Sequence, residues 1–201
     1  MIQNQICFPM KKVFFTSDTH FFHDRIISHA NRPFANVDEM NATLIRNWNK
    51  VVPRDGIVFH LGDFCMGTVA QWNSILDQLK GKIFLVAGNH DIALINSPVM
   101  KRFEGVDCEM DIVVGGQKLI LNHFPLLVHG GRNTRTWQLF GHIHTNPVDN
   151  RIIDNKRMSM LASSQYDVEV DNNDFVPVPF EQIQEIITWQ METGKRFRGW
   201  E

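Results

Sequence analysis

The sequence predicts an α/β domain with mixed β-sheets and helices on the outside. Short runs rich in β-branched and aromatic residues have strand length, amphipathic helical patterns separate the early runs, and later runs pair through a hairpin. A chain of 201 residues with 43% hydrophobic residues is long enough for one domain with a core and short for two. We therefore expect a single domain over residues 11–201, with residues 1–10 as an N-terminal extension.

Seven segments are predicted strands, six of them apolar runs bounded by turn residues. In order they are Val13–Thr16, Ile57–Leu61, Ile83–Val86, Asp111–Val114, Leu119–Leu121, Trp137–Phe140 and Tyr166–Val170. The last segment alternates polar and apolar residues, as a strand with one solvated face does. Gly115 and Gly116 predict a two-residue hairpin turn between the fourth and fifth strands, because glycine adopts positive φ at low cost.

Three amphipathic helices are predicted between and after these strands. Apolar residues recur on one face from Val37 to Trp48, which predicts a helix of about three turns. A second helix is predicted from a Thr68 cap to near Gly81. A third runs from about Phe180 to Gly194. We interpret all three apolar stripes as ordinary core.

Charge and cysteine content narrow the function classes. The 20 Lys and Arg residues nearly balance 22 Asp and Glu residues, whereas a protein that holds long nucleic acid by counterion release is expected to be more basic. No apolar run reaches the roughly 18–20 residues that span a bilayer, so we expect no membrane association. Three widely spaced cysteines disfavour a disulfide framework and predict a cytoplasmic protein.

Polar residues that can bind a metal follow five of the predicted strands. They are Asp18 and His20, then Asp63, then Asn89 with His90 and Asp91, then His123, and finally His142 and His144. Ligands of open α/β sheets bind outside the carboxyl ends of the strands. We therefore expect these side chains to share one small volume. Taken singly, Asp18 could instead cap a helix near Asp24, and Asp63 could open an Asx turn.

The residue types indicate which ions this volume would hold. Carboxylate, carboxamide and imidazole without thiolate suit Mn²⁺, Fe²⁺ or Fe³⁺, Zn²⁺ or Ni²⁺. Seven ligands from this set of nine residues exceed what one tetrahedral ion needs, and two ions roughly 3.5–4 Å apart that share one carboxylate account for them. We expect two divalent transition-metal ions, with manganese first. Their charge, less that of Asp18, Asp63 and a bridging hydroxide, leaves +1 to attract a phosphate anion.

The motifs D-x-H, G-D, G-N-H-D, a single H and G-H-x-H occur in that order between residues 13 and 144. This pattern resembles the calcineurin-like metallophosphoesterase superfamily, especially its small cap-less bacterial and phage phosphoesterases. The resemblance implies two mixed β-sheets packed face to face and flanked by helices. It also implies a ligand set: Asp18, His20 and His144 on one ion, Asn89, His123 and His142 on the other, and Asp63 bridging both. Phe22 stands where such members often carry Gly.

The resemblance further implies a hydrolytic mechanism. A metal-bridging hydroxide attacks phosphorus, and His90 donates a proton to the leaving group. Asp91 is expected to orient His90. The predicted substrate is a small phosphodiester or phosphomonoester, with nucleotides among the candidates. Four further residues are predicted to contact its phosphate: His23, Arg25, Arg132 and Arg135.

Two other functions stay open from the sequence, a binding scaffold of the same fold without catalysis and a nuclease that acts on polymeric DNA or RNA. Preference for monoesters or diesters and the oligomeric state are also open. Among the remaining candidates, His60 is expected to be a core residue or to support a ligand, and Cys65 to be buried for packing. His29 and His129 are expected at the surface.

Overall fold

A computed structural model describes residues 6–128, 136–144 and 159–196, and these residues form two five-stranded sheets with flanking helices. Sheet I contains, in spatial order, β10 (Val178–Pro179), β2 (Val13–Thr16), β3 (Ile57–His60), β4 (Lys82–Val86) and β5 (Gly105–Asp107). Sheet II contains β1 (Ile6–Phe8), β6 (Glu109–Val114), β7 (Gln117–Asn122), β8 (Thr136–Phe140) and β9 (Gln165–Asp167). The predicted α/β sandwich of two mixed sheets is confirmed.

Both sheets combine parallel and antiparallel pairs. In sheet I, β2 to β5 are mutually parallel and β10 runs antiparallel to β2. In sheet II, β6 and β7 form the predicted antiparallel hairpin, while β7, β8 and β9 are parallel. Gly115 and Gly116 turn this hairpin with φ of 56° and 87°, the left-handed backbone that glycine allows.

Among the described residues, the helices that flank the sheets include α1 (Asp24–His29), α2 (Val37–Val51), α3 (Val69–Leu76) and α4 (Phe180–Thr193). Thr68 caps α3 as predicted, in a capping box with Gln71. This helix ends well before Gly81 because the next residues hydrogen-bond to α2, where the Trp48 indole donates to the Lys80 carbonyl. Among the described residues, no helix is long and apolar enough to cross a membrane.

Alternation along the strands divides the core into two apolar layers. Phe14 faces the layer beneath α1 to α3, where the predicted stripe of α2 is buried. Its neighbour Phe15 faces the layer between the sheets and stacks on Phe59, with ring centroids 5.4 Å apart. Leu119 and Leu139 of sheet II fill the same layer. The strand period of two therefore packs sheet I on both faces.

Strand β1 lies within the predicted N-terminal extension. Residues Ile6–Phe8 pair in parallel with β6, and the Phe8 ring lies 5.1 Å from that of Phe59. Part of the extension thus forms an edge strand of sheet II. The domain boundary at residue 10 stays a prediction.

The prediction of a strand with one solvated face over Tyr166–Val170 is wrong. Strand β9 ends at Asp167, a 3-10 turn follows at Val170–Asn172, and the polar residues of the segment are as buried as the apolar ones. Buried hydrogen bonds are the physical reason. Asp167 Oδ1 accepts from the Glu169 N–H, and Glu169 Oε2 accepts from the His144 N–H.

Candidate metal centre

The seven predicted metal ligands lie together where five strands end. Strands β2, β3 and β4 of sheet I and β7 and β8 of sheet II each run into one of these ligands or its motif. The two sheets are joined at this point, because the His142 N–H donates to Asp18 Oδ2 over 3.0 Å. Side chains from five separate segments therefore meet around one small volume.

Asp18, His20 and His144 form a first cluster. The Nε2 atoms of His20 and His144 are 3.3 Å apart, and Asp18 Oδ1 lies 3.8 Å and 3.7 Å from them. Among the described residues, this buried oxygen has no hydrogen-bond partner. A buried carboxylate oxygen without a donor is costly unless a cation satisfies it. The first cluster therefore fits a metal ion.

Asn89, His123 and His142 form a second cluster. His123 Nε2 lies 3.1 Å from Asn89 Oδ1 and 3.2 Å from His142 Nδ1. The Asn89 and His142 side chains are exposed, so this cluster opens to solvent, whereas His123 is buried. One carboxamide oxygen and two imidazole nitrogens converge here, a donor set that suits a divalent transition metal.

Asp63 lies between the two clusters. Its Oδ2 atom is 3.6 Å from His20 Nε2 of the first cluster and 3.6 Å from His123 Nε2 of the second. Its Oδ1 atom accepts a hydrogen bond from the His90 N–H over 2.9 Å. One carboxylate oxygen is therefore within reach of ions in both clusters.

Hydrogen bonds at the far side of the rings orient three of the histidines. His123 Nδ1 donates to the Leu61 carbonyl over 2.7 Å, and His144 Nδ1 lies 3.0 Å from an Asp171 oxygen. His20 Nδ1 lies 3.1 Å from His23 Nδ1. Because the outer nitrogen is a donor, the inner Nε2 of His123 and His144 carries the lone pair that a metal needs.

The backbone turns sharply at five of the seven ligands. Asp18, His20, Asp63, His142 and His144 all have φ between 47° and 75°. This left-handed conformation costs a side-chain-bearing residue roughly 1–2 kcal/mol. Such residues cluster at functional sites because the surrounding structure holds them there. Phe22, in the position often occupied by Gly, also has φ of 60°.

Two motif glycines allow the ligand loops to approach one another. A Cβ on Gly88 would overlap Asp63 Oδ1, and a Cβ on Gly141 would overlap Asp18 Oδ2. In both cases the overlap would be with the carboxylate of a predicted ligand. The glycines of G-N-H-D and G-H-x-H therefore leave room for the ligands that the other motifs supply.

In the metal-free site, burial opposes charge on His20, His142 and Asp63. Burial, together with the charges of His144 and Arg32, lowers the pKa of His20 well below its usual value. Burial also lowers the pKa of His142, and burial raises that of Asp63 despite the neighbouring His123. Although burial alone would lower the pKa of His144, the hydrogen bond to Asp171 and the charge of Asp18 raise it overall. Burial at His20 and His142 therefore favours the neutral imidazole that binds metal.

The Asp91 side chain is buried and accepts hydrogen bonds from backbone N–H groups. Its carboxylate accepts from the N–H groups of Gly88, Asp63 and Phe64 at 2.9, 2.7 and 3.0 Å. Burial raises its pKa to about 6 although these bonds act in the opposite direction. Among the described residues, its hydrogen bonds join the loop after β4 to the loop after β3 that carries Asp63, and none joins the His90 ring. Orientation of His90 by Asp91 stays a prediction.

A cavity of about 740 Å³ opens over the clusters. Its wall includes ligands of both clusters and the predicted substrate residues His23 and Arg25, with His29 at the exposed surface of α1. Within the described ranges, Asp63 is the only acidic residue in this wall, and the other ionisable groups are histidines and Arg25. The cavity therefore suits an anion. Arg132, Arg135 and His129 lie outside the described residues.

The sequence patterns do not indicate two polar residues that lie near the first cluster. Arg32 and Asp171 form a buried ion pair whose carboxylate also contacts His144. They are 139 residues apart and belong to none of the strand-end motifs, so no local pattern indicated them. His60 and Cys65 are buried, as expected, and burial raises the pKa of the Cys65 thiol to about 12.

The sequence profile of the calcineurin-like phosphoesterases matches residues 11–174. The chain belongs to this family. It is 36% identical over 192 residues to an uncharacterized protein of Methanocaldococcus jannaschii, covering 94% of this chain and 96% of that protein. It is also 36% identical over 85 residues to the Gene 66 protein of Mycobacterium phage L5, covering 41% of each chain.

Two solved structures are similar to this member of the calcineurin-like phosphoesterase family. A protein of unknown function from Aquifex aeolicus is 22% identical and covers 89% of this chain and 99% of its own, with a TM-score of 0.63. The nuclease MPE of Pseudomonas putida is also 22% identical and covers 67% of this chain and 61% of its own, with a TM-score of 0.45. The first likeness supports the fold.

Proposed function

We propose that this phosphoesterase hydrolyses a small phosphate ester with the help of two divalent cations. The position of Asp63 carries the proposal, because one of its oxygens lies 3.6 Å from a histidine nitrogen in each cluster. A carboxylate shared in this way is the arrangement expected of a two-metal site.

Each cluster would supply the ligands of one cation. Asp18, His20 and His144 would bind one ion, Asn89, His123 and His142 the other, and Asp63 both. The nitrogen and oxygen donors, without thiolate, favour Mn²⁺ first and Fe, Zn²⁺ or Ni²⁺ as alternatives. When bound, such ions neutralise the phosphate charge and lower the pKa of a coordinated water towards 7.

His90 is the residue that we propose as proton donor to the leaving group. Its main chain is anchored by the bond to Asp63 Oδ1, its ring is 40% exposed, and its Nε2 lies 3.9 Å from Asp63 Oδ2. The imidazole therefore faces the cavity beside the reacting centre. From there it can hold a proton at Nε2 and donate it to the departing oxygen.

The cavity supports a substrate larger than a phosphate group. Its volume of about 740 Å³ lies within the roughly 300–1,000 Å³ typical of small-molecule sites. His23 and Arg25 line it on the side of α1, where they can contact phosphate oxygens. A nucleotide-sized phosphomonoester or phosphodiester would fit the size and charge of this space.

Metal-dependent hydrolysis tests the proposal directly. Protein stripped with a chelator and reloaded with Mn²⁺ would be screened against bis-(4-nitrophenyl) phosphate, 4-nitrophenyl phosphate, nucleoside monophosphates and cyclic nucleotides. We expect activity only after reloading and none above background for Asp63→Ala. Asp77→Ala, which removes an exposed aspartate on the surface, is the matched control and should retain full activity. Full activity in pure Asp63→Ala would refute the site.

The two alternative functions give different results in the same preparation. A binding scaffold would take up no Mn²⁺ and hydrolyse none of the esters. A nuclease would cleave long DNA or RNA with a steep loss of rate as salt rises, because phosphate contacts along a polymer release counterions.

A further inference from the structure

We infer that Arg32 and Asp171 are positioning residues that aim His144 at the metal centre. This inference rests on the proposed function, since it concerns one of the proposed ligands. Both residues lie outside the strand-end motifs, and neither is among the residues that line the cavity over the clusters. Their effect would pass through the orientation of a ligand.

The ion pair of Arg32 and Asp171 has the geometry of a strong, oriented contact. Arg32 Nε donates to Asp171 Oδ1 over 2.8 Å, and Arg32 Nη2 donates to Oδ2 over 2.8 Å. Both side chains are fully buried. Two parallel hydrogen bonds fix the plane of the carboxylate as well as its position. Phe175 flanks the guanidinium, with its ring centroid 5.9 Å from Cζ.

The oriented carboxylate of Asp171 in turn fixes the orientation of the His144 ring through a hydrogen bond. Its Oδ2 atom lies 3.0 Å from His144 Nδ1, so the ring donates from Nδ1 and keeps the Nε2 lone pair towards Asp18 and His20. A carboxylate behind a ligating histidine fixes the tautomer and raises its basicity. Glu169 holds the same residue from the main chain, accepting from the His144 N–H over 2.7 Å.

Arg32 also reaches the first motif. Its Nη2 donates to the Asp18 carbonyl over 2.7 Å, and its Nη1 donates to the Thr19 carbonyl over 3.1 Å. These bonds hold the main chain where Asp18 adopts φ of 55°. A single guanidinium therefore connects two ligands of the first cluster, Asp18 through its backbone and His144 through Asp171.

Metal affinity and histidine tautomer together test this inference. Metal-free protein would be titrated with Co²⁺ and followed by visible absorption, and long-range ¹H–¹⁵N correlation spectra would report the tautomer of His144. We expect wild-type protein to bind two equivalents, with His144 protonated at Nδ1. Asp171→Asn should lose about 10- to 100-fold in affinity at one equivalent only and show a mixed tautomer.

Two comparisons separate positioning from general structural damage. Gln190→Leu removes a buried polar side chain of α4 that binds the Ser163 and Gln165 carbonyls, and it should lower stability without changing Co²⁺ affinity. In a double-mutant cycle, Asp171→Asn should add little loss to His144→Ala, because its effect passes through that ring. Arg32→Lys, which keeps the charge but loses the fork, provides a second variant if Asp171→Asn does not fold.

The outcomes distinguish the two levels of inference. If wild-type protein takes up no Co²⁺, the proposed function itself fails. If it binds two equivalents and Asp171→Asn binds them equally well with an unchanged tautomer, the positioning role is wrong while the function stands. Equal losses of affinity in the wild-type and His144→Ala backgrounds would also overturn the positioning role.

Discussion

His60 should make the metal-free protein sensitive to mild acid. The side chain is fully buried, and its Nε2 donates to the Thr19 hydroxyl over 2.9 Å. That hydroxyl donates in turn to the Phe64 carbonyl over 2.8 Å, so it is an acceptor towards His60. Among the described residues, Nδ1 has no hydrogen-bond partner. A second proton would therefore place an unpaired N–H and a charge in an apolar layer.

The expected size of this effect follows from the pKa. Burial lowers the pKa of His60 to about 3, against about 6.5 in an unfolded chain. Between these values the unfolded state binds more protons, so the free energy of unfolding falls as the pH falls below about 6.5. At pH 5 the unfolded imidazole is almost fully protonated and the native one is not. The loss from this residue alone is then about 2 kcal/mol relative to pH 7.5.

Urea unfolding of metal-free protein, followed by tryptophan fluorescence at pH 5 and pH 7.5, measures the effect. Between these pH values wild-type protein should lose about 2 kcal/mol more than His60→Gln, which keeps a donor for Thr19 but does not titrate. His29→Gln, which changes an exposed histidine, should follow the wild type. Equal pH dependence in wild type and His60→Gln, within about 0.5 kcal/mol, would refute the reasoning.

Three further predictions concern the candidate metal centre. Gly141→Ala should lower the free energy of unfolding by about 1–3 kcal/mol and abolish hydrolysis, because the added Cβ overlaps the Asp18 carboxylate; an unchanged melting temperature would contradict this. Asp91→Asn replaces one accepting oxygen by an amide nitrogen, so not all three backbone N–H groups keep their hydrogen bond. We therefore expect the free energy of unfolding in urea to fall by at least about 2 kcal/mol, and a smaller fall would show that other acceptors replace the carboxylate. His90→Ala should slow hydrolysis of alkyl esters by about 10²–10⁴-fold and of 4-nitrophenyl esters much less, since a good leaving group needs no proton; equal losses for both would argue against a general acid.

The convergence of the candidate metal ligands was predictable because the information for it is local. Each ligand directly follows an apolar run that is recognisable as a strand, and parallel strands end at one edge of a sheet. The glycines beside Asp63 and His142 belong to the same short motifs. The candidate ligands can therefore be listed from the sequence before the packing of the two sheets is known.

The supporting residues were not predictable for the opposite reason. Arg32 and Asp171 meet across 139 residues, and neither has a neighbour in the sequence that marks it as buried. Glu169 sits in an alternating segment that predicts a solvated face, yet its carboxylate is buried against the His144 main chain. Burial of a charged residue depends on the partner that tertiary packing brings to it, and local alternation carries no information about that partner.

Secondary-structure boundaries departed from the sequence patterns where tertiary contacts compete. Helix α3 stops at Leu76 because the chain beyond it bonds to α2. Strand β1 gains its place from pairing with β6 and from the contact of Phe8 with Phe59, both distant in sequence. Short edge strands have few residues with which to show a pattern, so their position depends on the sheet that receives them.

The most direct test of the two-metal assignment is anomalous diffraction from crystals of the Mn²⁺-loaded protein, recorded above and below the manganese absorption edge. We expect two peaks, one beside Asp18, His20 and His144 and the other beside Asn89, His123 and His142, with the Asp63 carboxylate between them. A single peak, or peaks remote from Asp63 in fully loaded crystals, would contradict the assignment.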